Sequence, residues 1–340
     1  MTYVKEPFVI YTSPMSLSKI HVTAFYLFFS WPENTDFSAQ IKIIESWCEI
    51  RKIFGLLLIG PEGFNGTMAS DSLESIHELK TFLHSLTHLD EKIQIEFKDS
   101  QSHFMPFRRI KVKAKTEIVT LGNPNVLPAT EKNESHLSPK DWNAFIKTKN
   151  PVVLDVRNDY EMEIGKFKSA LNWKMQEFTE FPDLVKKLNP SDKSQPVLMY
   201  CTGGIRCEKA SIEMKNQGFT DVYQLDGGIL NYLKEFPNDE FDGECFVFDH
   251  RVAVDQNLEP SKNFVLCHHC GQPAEIIPFE CVQCGINTNV CENCLDCEVH
   301  DLSIRTCSKN CRHHYQMGHK SVRPHLDSKK KYKDSIRGTT

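Results

Sequence analysis

The sequence predicts a multidomain chain of mixed α/β and α+β class: an N-terminal α+β domain, a central α/β domain on a parallel sheet, and a C-terminal cysteine-rich region of zinc type. Three observations predict it. At 340 residues and 39.2 kDa the chain exceeds what one hydrophobic core usually supports. Apolar runs of strand length alternate with stretches of helical period as far as Leu225. Nine of the thirteen cysteines lie between Cys267 and Cys311. Hydrophobic residues at 40% and charged residues at 25% are ordinary globular usage, which excludes disordered, collagen-like and coiled-coil classes. The longest apolar stretches, Phe25 to Phe29 and Ile53 to Ile59, fall short of the roughly 18 to 20 residues a membrane helix needs. The run after Lys19 meets Ser30, Trp31, Pro32 and Glu33 instead of a cleavage site. The expectation is a cytoplasmic protein with no membrane partner.

The elements follow in order. Val22 to Phe29 is a β-branched and aromatic strand. Phe37, Ile41, Ile44 and Cys48 recur at helical spacing behind Asp36, and Phe54 to Ile59 is again a strand. After the turn Gly60-Pro61-Glu62-Gly63-Phe64-Asn65-Gly66 a short strand is expected at Thr67 to Ala69. Asp71 then opens a second helix with Glu74 in the capping-box position and a buried stripe of Leu73, Ile76, Leu79 and Leu83. Ile93, Ile95 and Phe97 alternate with polar residues as in a half-buried strand. The order β-α-β-β-α-β is ferredoxin-like (acylphosphatase-like) and is assigned to residues 1–122. Proline-rich residues 123–137 read as a linker. Residues 138–245 carry strands at Val152 to Val156, Val197 to Tyr200 and Val222 to Leu225 and a helix from about Arg206 to Gln217, the signature of a parallel sheet covered on both faces. Residues 246–320 form the cysteine-rich region and 321–340 a basic, disordered tail. From Lys320 to Thr340 there are seven Lys or Arg against two Asp, whereas Pro151 to Pro260 holds 20 acids against 12 bases, so a basic end follows an acidic middle.

Chemistry concentrates at Tyr200-Cys201-Thr202-Gly203-Gly204-Ile205-Arg206-Cys207. A buried strand delivers Cys201 to its carboxyl end, where open α/β sheets place ligands. Two glycines let the backbone curl, a helix starts at once, and the amides, the helix dipole and Arg206 make the loop a site for anions. The same field lowers a thiol pKa from about 8.5 towards 7 or below, which makes Cys201 a thiolate nucleophile. Cys-dependent phosphatases place five residues between Cys and Arg; here only Thr202, Gly203, Gly204 and Ile205 intervene, so a bound sulfur fits better than a phosphate. Cys207 is either a resolving thiol or, with Ala210 and Met214, part of the helix's packed stripe, the second being favoured. Asp155 and Arg157 read as a structural ion pair. No GxGxxG or GxxxxGK occurs, so no nucleotide cofactor is expected.

These residues resemble the rhodanese domain. The match runs from Leu154-Asp155-Val156-Arg157 with Glu161 and Gly165, through Tyr200-Cys201 to Arg206, to Gly218-Phe219 and Leu225-Asp226-Gly227-Gly228-Ile229, and covers Ser138 to Phe236. The resemblance implies that Cys201 carries a persulfide or another oxidised sulfur state cradled by Thr202 to Arg206. Tyr232 stands where many rhodaneses have Trp. With the Gly63-Phe64-Asn65-Gly66-Thr67 turn and Glu117-Ile118-Val119-Thr120-Leu121-Gly122, nearly the whole chain is similar in domain order to the bacterial tRNA uridine hydroxylases. Phe64 stands where that family commonly has Ile. The resemblance implies oxygen-dependent formation of 5-hydroxyuridine at the tRNA wobble position, with molecular oxygen as co-substrate and the loop Cys as reacting group. A sulfurtransferase and a zinc-bearing RNA-binding adaptor are the alternatives.

Two further features bear on partners. Lys111, Lys113 and Lys115 fall on one face of a strand after Arg108 and Arg109, with Ile110, Val112 and Ala114 on the other. That face suits RNA phosphates, with Phe104 and Phe107 as stacking groups, and equally suits an edge strand protected by lysines. Cys267-x2-Cys270 and Cys281-x2-Cys284 make one four-thiolate set and Cys291-x2-Cys294 with Cys307-x3-Cys311 a second, leaving Cys297 over. The expected ligand is structural Zn2+, with an iron–sulfur cluster or unliganded thiols as alternatives. His268, His269, His300, His313 and His314 are further candidate ligands.

Overall fold

The computed structural model describes residues 19–87, 95–130, 135–149, 151–188, 195–267, 269–275, 279–288, 290, 291, 294, 303 and 305–319, divided between two compact units, Met1–Glu134 and Ser135–Thr340.

The first unit orders β1 (Ile20–Phe28), α1 (Phe37–Ile50), β2 (Phe54–Gly60), β3 (Gly63–Ser70), α2 (Leu73–Thr87), β4 (Glu96–Ser102) and β5 (Ile110–Ala114). The sheet order is β4-β1-β3-β2-β5, with β5 parallel to β2 at one edge. Asp36 caps α1 through its carboxylate, which accepts from the amides of Ser38 and Ala39. Ile44 and Cys48 of α1 and Ile76, Leu79 and Leu83 of α2 pack with Phe25, Leu57, Ile59 and Met68 of the sheet. Two local expectations need correction. The glycine-rich turn is mostly strand, because Gly60 already pairs with Gly63 and leaves Pro61 and Glu62 as the turn. Gly63 serves close approach rather than turning: at φ 138°, a Cβ there would lie 2.0 Å from the Leu27 carbonyl oxygen. The cap of α2 is Ser72, whose Oγ accepts from the Ser75 amide at 3.1 Å, so Leu73 starts the helix on its exposed side. Phe64 is buried edge-on against Phe25 and Phe29, a packing role. Ile93 lies outside the described residues.

The second unit orders β6 (His136–Leu137), α3 (Pro139–Lys149), β7 (Val152–Asp155), α4 (Asp159–Ile164), β8 (Gly165–Phe167), β9 (Ala170–Leu171), α5 (Phe181–Lys186), β10 (Val197–Tyr200), α6 (Ile205–Asn216), β11 (Val222–Leu225) and α7 (Gly228–Glu235). It continues through β12 (Phe241–Gly243), β13 (Cys245–Phe246), β14 (Ala253–Val254), β15 (Phe264–Leu266), β16 (Pro273–Glu275), β17 (Phe279–Glu280) and β18 (Asn287–Thr288) to α8 (Lys309–Gln316). The main sheet is parallel, in the order β6-β11-β10-β7-β9. All four residues of β10 are buried, as a strand covered on both faces requires. The end of the predicted linker is not linker, since His136 and Leu137 pair with Gln224 and Leu225. Two residues with no alternation of their own leave no strand signal in sequence. The predicted tail, 321–340, lies outside the described residues. Among the described residues no helix is long and apolar enough to cross a membrane.

Candidate active site

The central strand sets Cys201 at the carboxyl end of β10, and Gly204, at φ 98°, swings the chain into α6. The Gly204 amide donates to the Cys201 sulfur at 3.1 Å, and the amides of Arg206 and Cys207 point at it too. The outer side of the loop is held by the start of α7. Ile229 N–H donates to the Cys201 carbonyl at 3.0 Å and Leu230 N–H to that of Thr202 at 3.1 Å. With its carbonyls engaged outward, the loop turns N–H groups inward. Gly228, at φ 66°, permits this packing: a Cβ there would come within 2.5 Å of the Cys201 carbonyl oxygen and 2.8 Å of the Gly203 and Gly204 nitrogens.

Cys201 is fully buried, and burial alone pushes its thiol up. A hydrogen bond from Cys207, the Arg206 charge and the amides outweigh that and bring the pKa to about 6, so Cys201 is mostly thiolate at neutral pH. Cys207 moves the opposite way, driven well up by burial and by its bond to Cys201, and stays a protonated donor. Sequence reasoning placed Cys207 in the packed stripe, where it does lie, but missed this donor role. No sequence pattern reports which way a buried thiol hydrogen points.

Arg206 does not reach the sulfur with its guanidinium. Nη1 donates to Glu161 Oε2 at 2.6 Å and Nη2 to Glu161 Oε1 at 2.8 Å, with Thr202 Oγ1 3.4 Å from Nη2. The expectation that the Arg206 side chain holds the anion directly is corrected: it acts through its charge and its backbone N–H. Glu161 is buried, yet Arg206 keeps its carboxyl below the usual range against the upward push of desolvation. Its Oε2 also accepts from the Asn158 amide at 3.1 Å, the half of a capping box that the Asn-x-x-Glu spacing signals. The distant partner, Arg206, leaves no such signal. Asp155 and Arg157 form the buried pair read from the sequence, Nη2 to Oδ2 at 2.6 Å, with Nη2 also bonded to the Gly165 carbonyl at 2.7 Å. Tyr232 is buried and donates from its hydroxyl to Asn143 Oδ1 at 2.9 Å. Thr202, Gly203, Gly204 and Ile205 line the ring, Gly203 and Ile205 being its partly exposed members.

A family model described as UPF0176 acylphosphatase like domain matches residues 20–118, and one described as Rhodanese-like domain matches residues 138–235. A tRNA uridine(34) hydroxylase of Bdellovibrio bacteriovorus is 46% identical over 311 residues, 89% of this chain and 85% of the relative. The chain belongs to the tRNA uridine(34) hydroxylase family. Other members include those of Picosynechococcus sp., 43% identical over 75% of this chain and 83% of the relative, and Rhizobium leguminosarum bv. trifolii, 38% identical over 90% and 96%.

In this member of the tRNA uridine(34) hydroxylase family the cysteine-rich region gathers two sets of four thiols that could hold a metal ion. They are Cys267, Cys270, Cys291 and Cys294, and Cys281, Cys284, Cys307 and Cys311, each with its four sulfurs within 4.8 Å of one another. The eight residues are those expected, but the pairing is corrected from consecutive to interleaved. The hairpins β15–β16 and β17–β18 each carry one Cys-x2-Cys knuckle, and each knuckle meets a pair from farther along the chain. Contacts of 3.6 Å between Cys270 and Cys291 and 3.5 Å between Cys284 and Cys307 suit a tetrahedral ion with metal–sulfur bonds of about 2.3 Å, whose sulfurs would lie about 3.8 Å apart. His269, His313 and His314 are not in either set; His268, His300 and Cys297 lie outside the described residues.

In the other unit of this family member, Arg108 and Arg109 are exposed just before β5, Lys111 and Lys113 point outward from it, Lys115 is exposed after it, and Ile110 and Val112 are buried. Ala114, expected on the buried face, is exposed at the strand end. Glu45 of α1 accepts from the Val112 amide at 2.9 Å and so satisfies part of this sheet edge. Phe104 is exposed, whereas Phe107 packs against Ile20, Val22 and Ala69.

Proposed function

We propose that this protein hydroxylates C5 of the wobble uridine of tRNA, in the cytoplasm, as an oxygen-dependent, monooxygenase-type enzyme with Cys201 as the reacting group. The observation that carries the reading is a buried thiolate with a pKa of about 6, ringed by main-chain donors, in a chain 46% identical to a tRNA uridine(34) hydroxylase over 89% of its length. The role of the protein in the chemistry is to keep one sulfur ionised, desolvated and fixed: Gly204 N–H and the Cys207 thiol hold it, and the Glu161–Arg206 pair anchors the loop. Molecular oxygen is the proposed co-substrate. The tRNA backbone is held by Arg108, Arg109, Lys111, Lys113 and Lys115, all exposed, with Lys111 and Lys113 setting charges about 6.6 Å apart on one face of β5. Zn2+ in the two four-thiolate sets is structural and supplies fold to a region with little apolar core. The test is nucleoside mass spectrometry of tRNA from cells lacking the gene. Wild-type protein restores 5-hydroxyuridine and Cys201→Ala does not; unchanged wobble uridines in the deletion strain, with no second enzyme present, overturn the reading. A sulfurtransferase is the second reading, favoured by the same sulfur cradle, and thiosulfate-to-cyanide turnover at ordinary enzymatic rates would select it.

A further inference from the structure

Next to the thiolate loop an exposed aromatic residue is held out on a stiff turn. β13 and β14 pair antiparallel, Cys245 with Val254 and Phe246 with Ala253, and enclose residues 247–252. Phe248 lies in this turn with 58% of its surface exposed. Its ring is 5.8 Å from the Arg206 guanidinium carbon and edge-on to Phe246 at 5.0 Å, and the Phe246 carbonyl lies 3.4 Å from Thr202 Oγ1. The hairpin therefore meets the loop at Thr202 through the Phe246 carbonyl and sets the largely exposed Phe248 beside Arg206.

The turn is built to stay in place. Arg251 Nε and Nη2 donate to the Asp249 carboxylate at 2.9 and 2.6 Å, with both side chains almost wholly buried. Val247 N–H bonds to the Val252 carbonyl and Val252 N–H to that of Asp249. Val252 is itself buried at φ 65°, a conformation that a β-branched residue rarely adopts. Strain of this kind persists only where the surroundings impose it, and it clusters at functional sites. A lone surface phenylalanine needs no explanation; one fixed by a strained turn beside a buried thiolate does. Cys201 is closed to solvent, so a reacting group must settle onto the rim formed by Gly203, Ile205 and what lies against Arg206. Glu161 engages both ends of the Arg206 guanidinium, so the exposed group beside Arg206 is the Phe248 ring.

We propose that Phe248 is the stacking platform for the uracil ring presented to Cys201. The inference rests on the tRNA-modifying function proposed above and adds how the base is seated. A wobble base stands in a single-stranded loop and unstacks cheaply, and single-stranded bases are bound by stacking on aromatic side chains.

The test uses the full chain and two anticodon stem-loop RNAs, one with uridine and one abasic at position 34. Phe248→Ala weakens the Kd for the uridine RNA about 10- to 100-fold and leaves the abasic RNA unchanged. Phe248→Tyr behaves as wild type and Phe248→Leu as Phe248→Ala. The pH dependence of Cys201 alkylation does not move in any of them. An alanine variant that binds both RNAs as wild type does, or loses both equally, overturns the proposal. A leucine variant equal to the tyrosine variant, or a shifted Cys201 titration, assigns Phe248 a packing role and also overturns it. Complemented deletion cells separate the two claims: 5-hydroxyuridine made equally by wild type and Phe248→Ala sinks the platform alone, whereas none made by wild type sinks the hydroxylase reading and the platform with it.

Discussion

Glu161→Gln removes one charge from the buried pair that anchors the thiolate loop. Both Glu161 oxygens lie within 2.8 Å of Arg206 nitrogens, and the two side chains are 0% and 8% exposed. Breaking such a pair from one side strands a buried charge and costs about 3–5 kcal/mol, far above the usual surface ion pair. Glutamine also turns an NH2 group towards donors that previously met an acceptor. At a urea slope of about 2 kcal/mol per molar, the midpoint for unfolding of the second unit falls by about 1.5–2.5 M. The pH dependence has a definite sign. The folded carboxyl is depressed below its ordinary 4.5, so its contribution is complete above that value and is lost as pH falls through the lower folded value. The variant lacks that acid-side loss. Because the Arg206 charge is then uncompensated, the Cys201 titration shifts below about 6. Urea unfolding followed by tryptophan fluorescence at neutral and acid pH, with alkylation kinetics, measures all three. A stability loss under about 1 kcal/mol, or a Cys201 titration that moves upward, refutes the reasoning.

Three other outcomes are expected. Cys207→Ala removes the thiol donor to the Cys201 anion, a hydrogen bond to a charge of about 1.5–3 kcal/mol, and raises the Cys201 titration by roughly one to two pH units in alkylation assays. Gly228→Ala adds left-handed strain of about 1–2 kcal/mol to a clash with loop backbone 2.5 Å away; it lowers the melting temperature and raises the Cys201 titration together. The purified chain binds two metal ions, and Cys267→Ser with Cys291→Ser costs one, because both fall in the same interleaved set; consecutive pairing would cost both, as elemental analysis would reveal.

How much was legible in the sequence depended on whether the cause was local. The strands Val197–Tyr200 and Val222–Leu225 have the bounds read from their apolar runs, and Asp36 caps α1 where its position suggested. The loop was legible because a strand, two glycines and a helix start are consecutive. What stayed hidden was set by residues distant in the chain. Glu161 meets Arg206 across 45 positions, and the thiol sets interleave because each knuckle finds its partners beyond the other. Glycines at Gly63 and Gly66 looked like turn signals because backbone crowding from neighbouring strands is not written in the local pattern.

The most direct test is the rate of alkylation of Cys201 by a small reagent such as iodoacetamide across pH, read at the Cys201 peptide by mass spectrometry in the full chain. A rate that rises through a midpoint near 6 and is flat above 8 is the predicted result. A midpoint at or above 9, the ordinary value for this thiol, would contradict an ionised sulfur held by the Cys201–Arg206 ring.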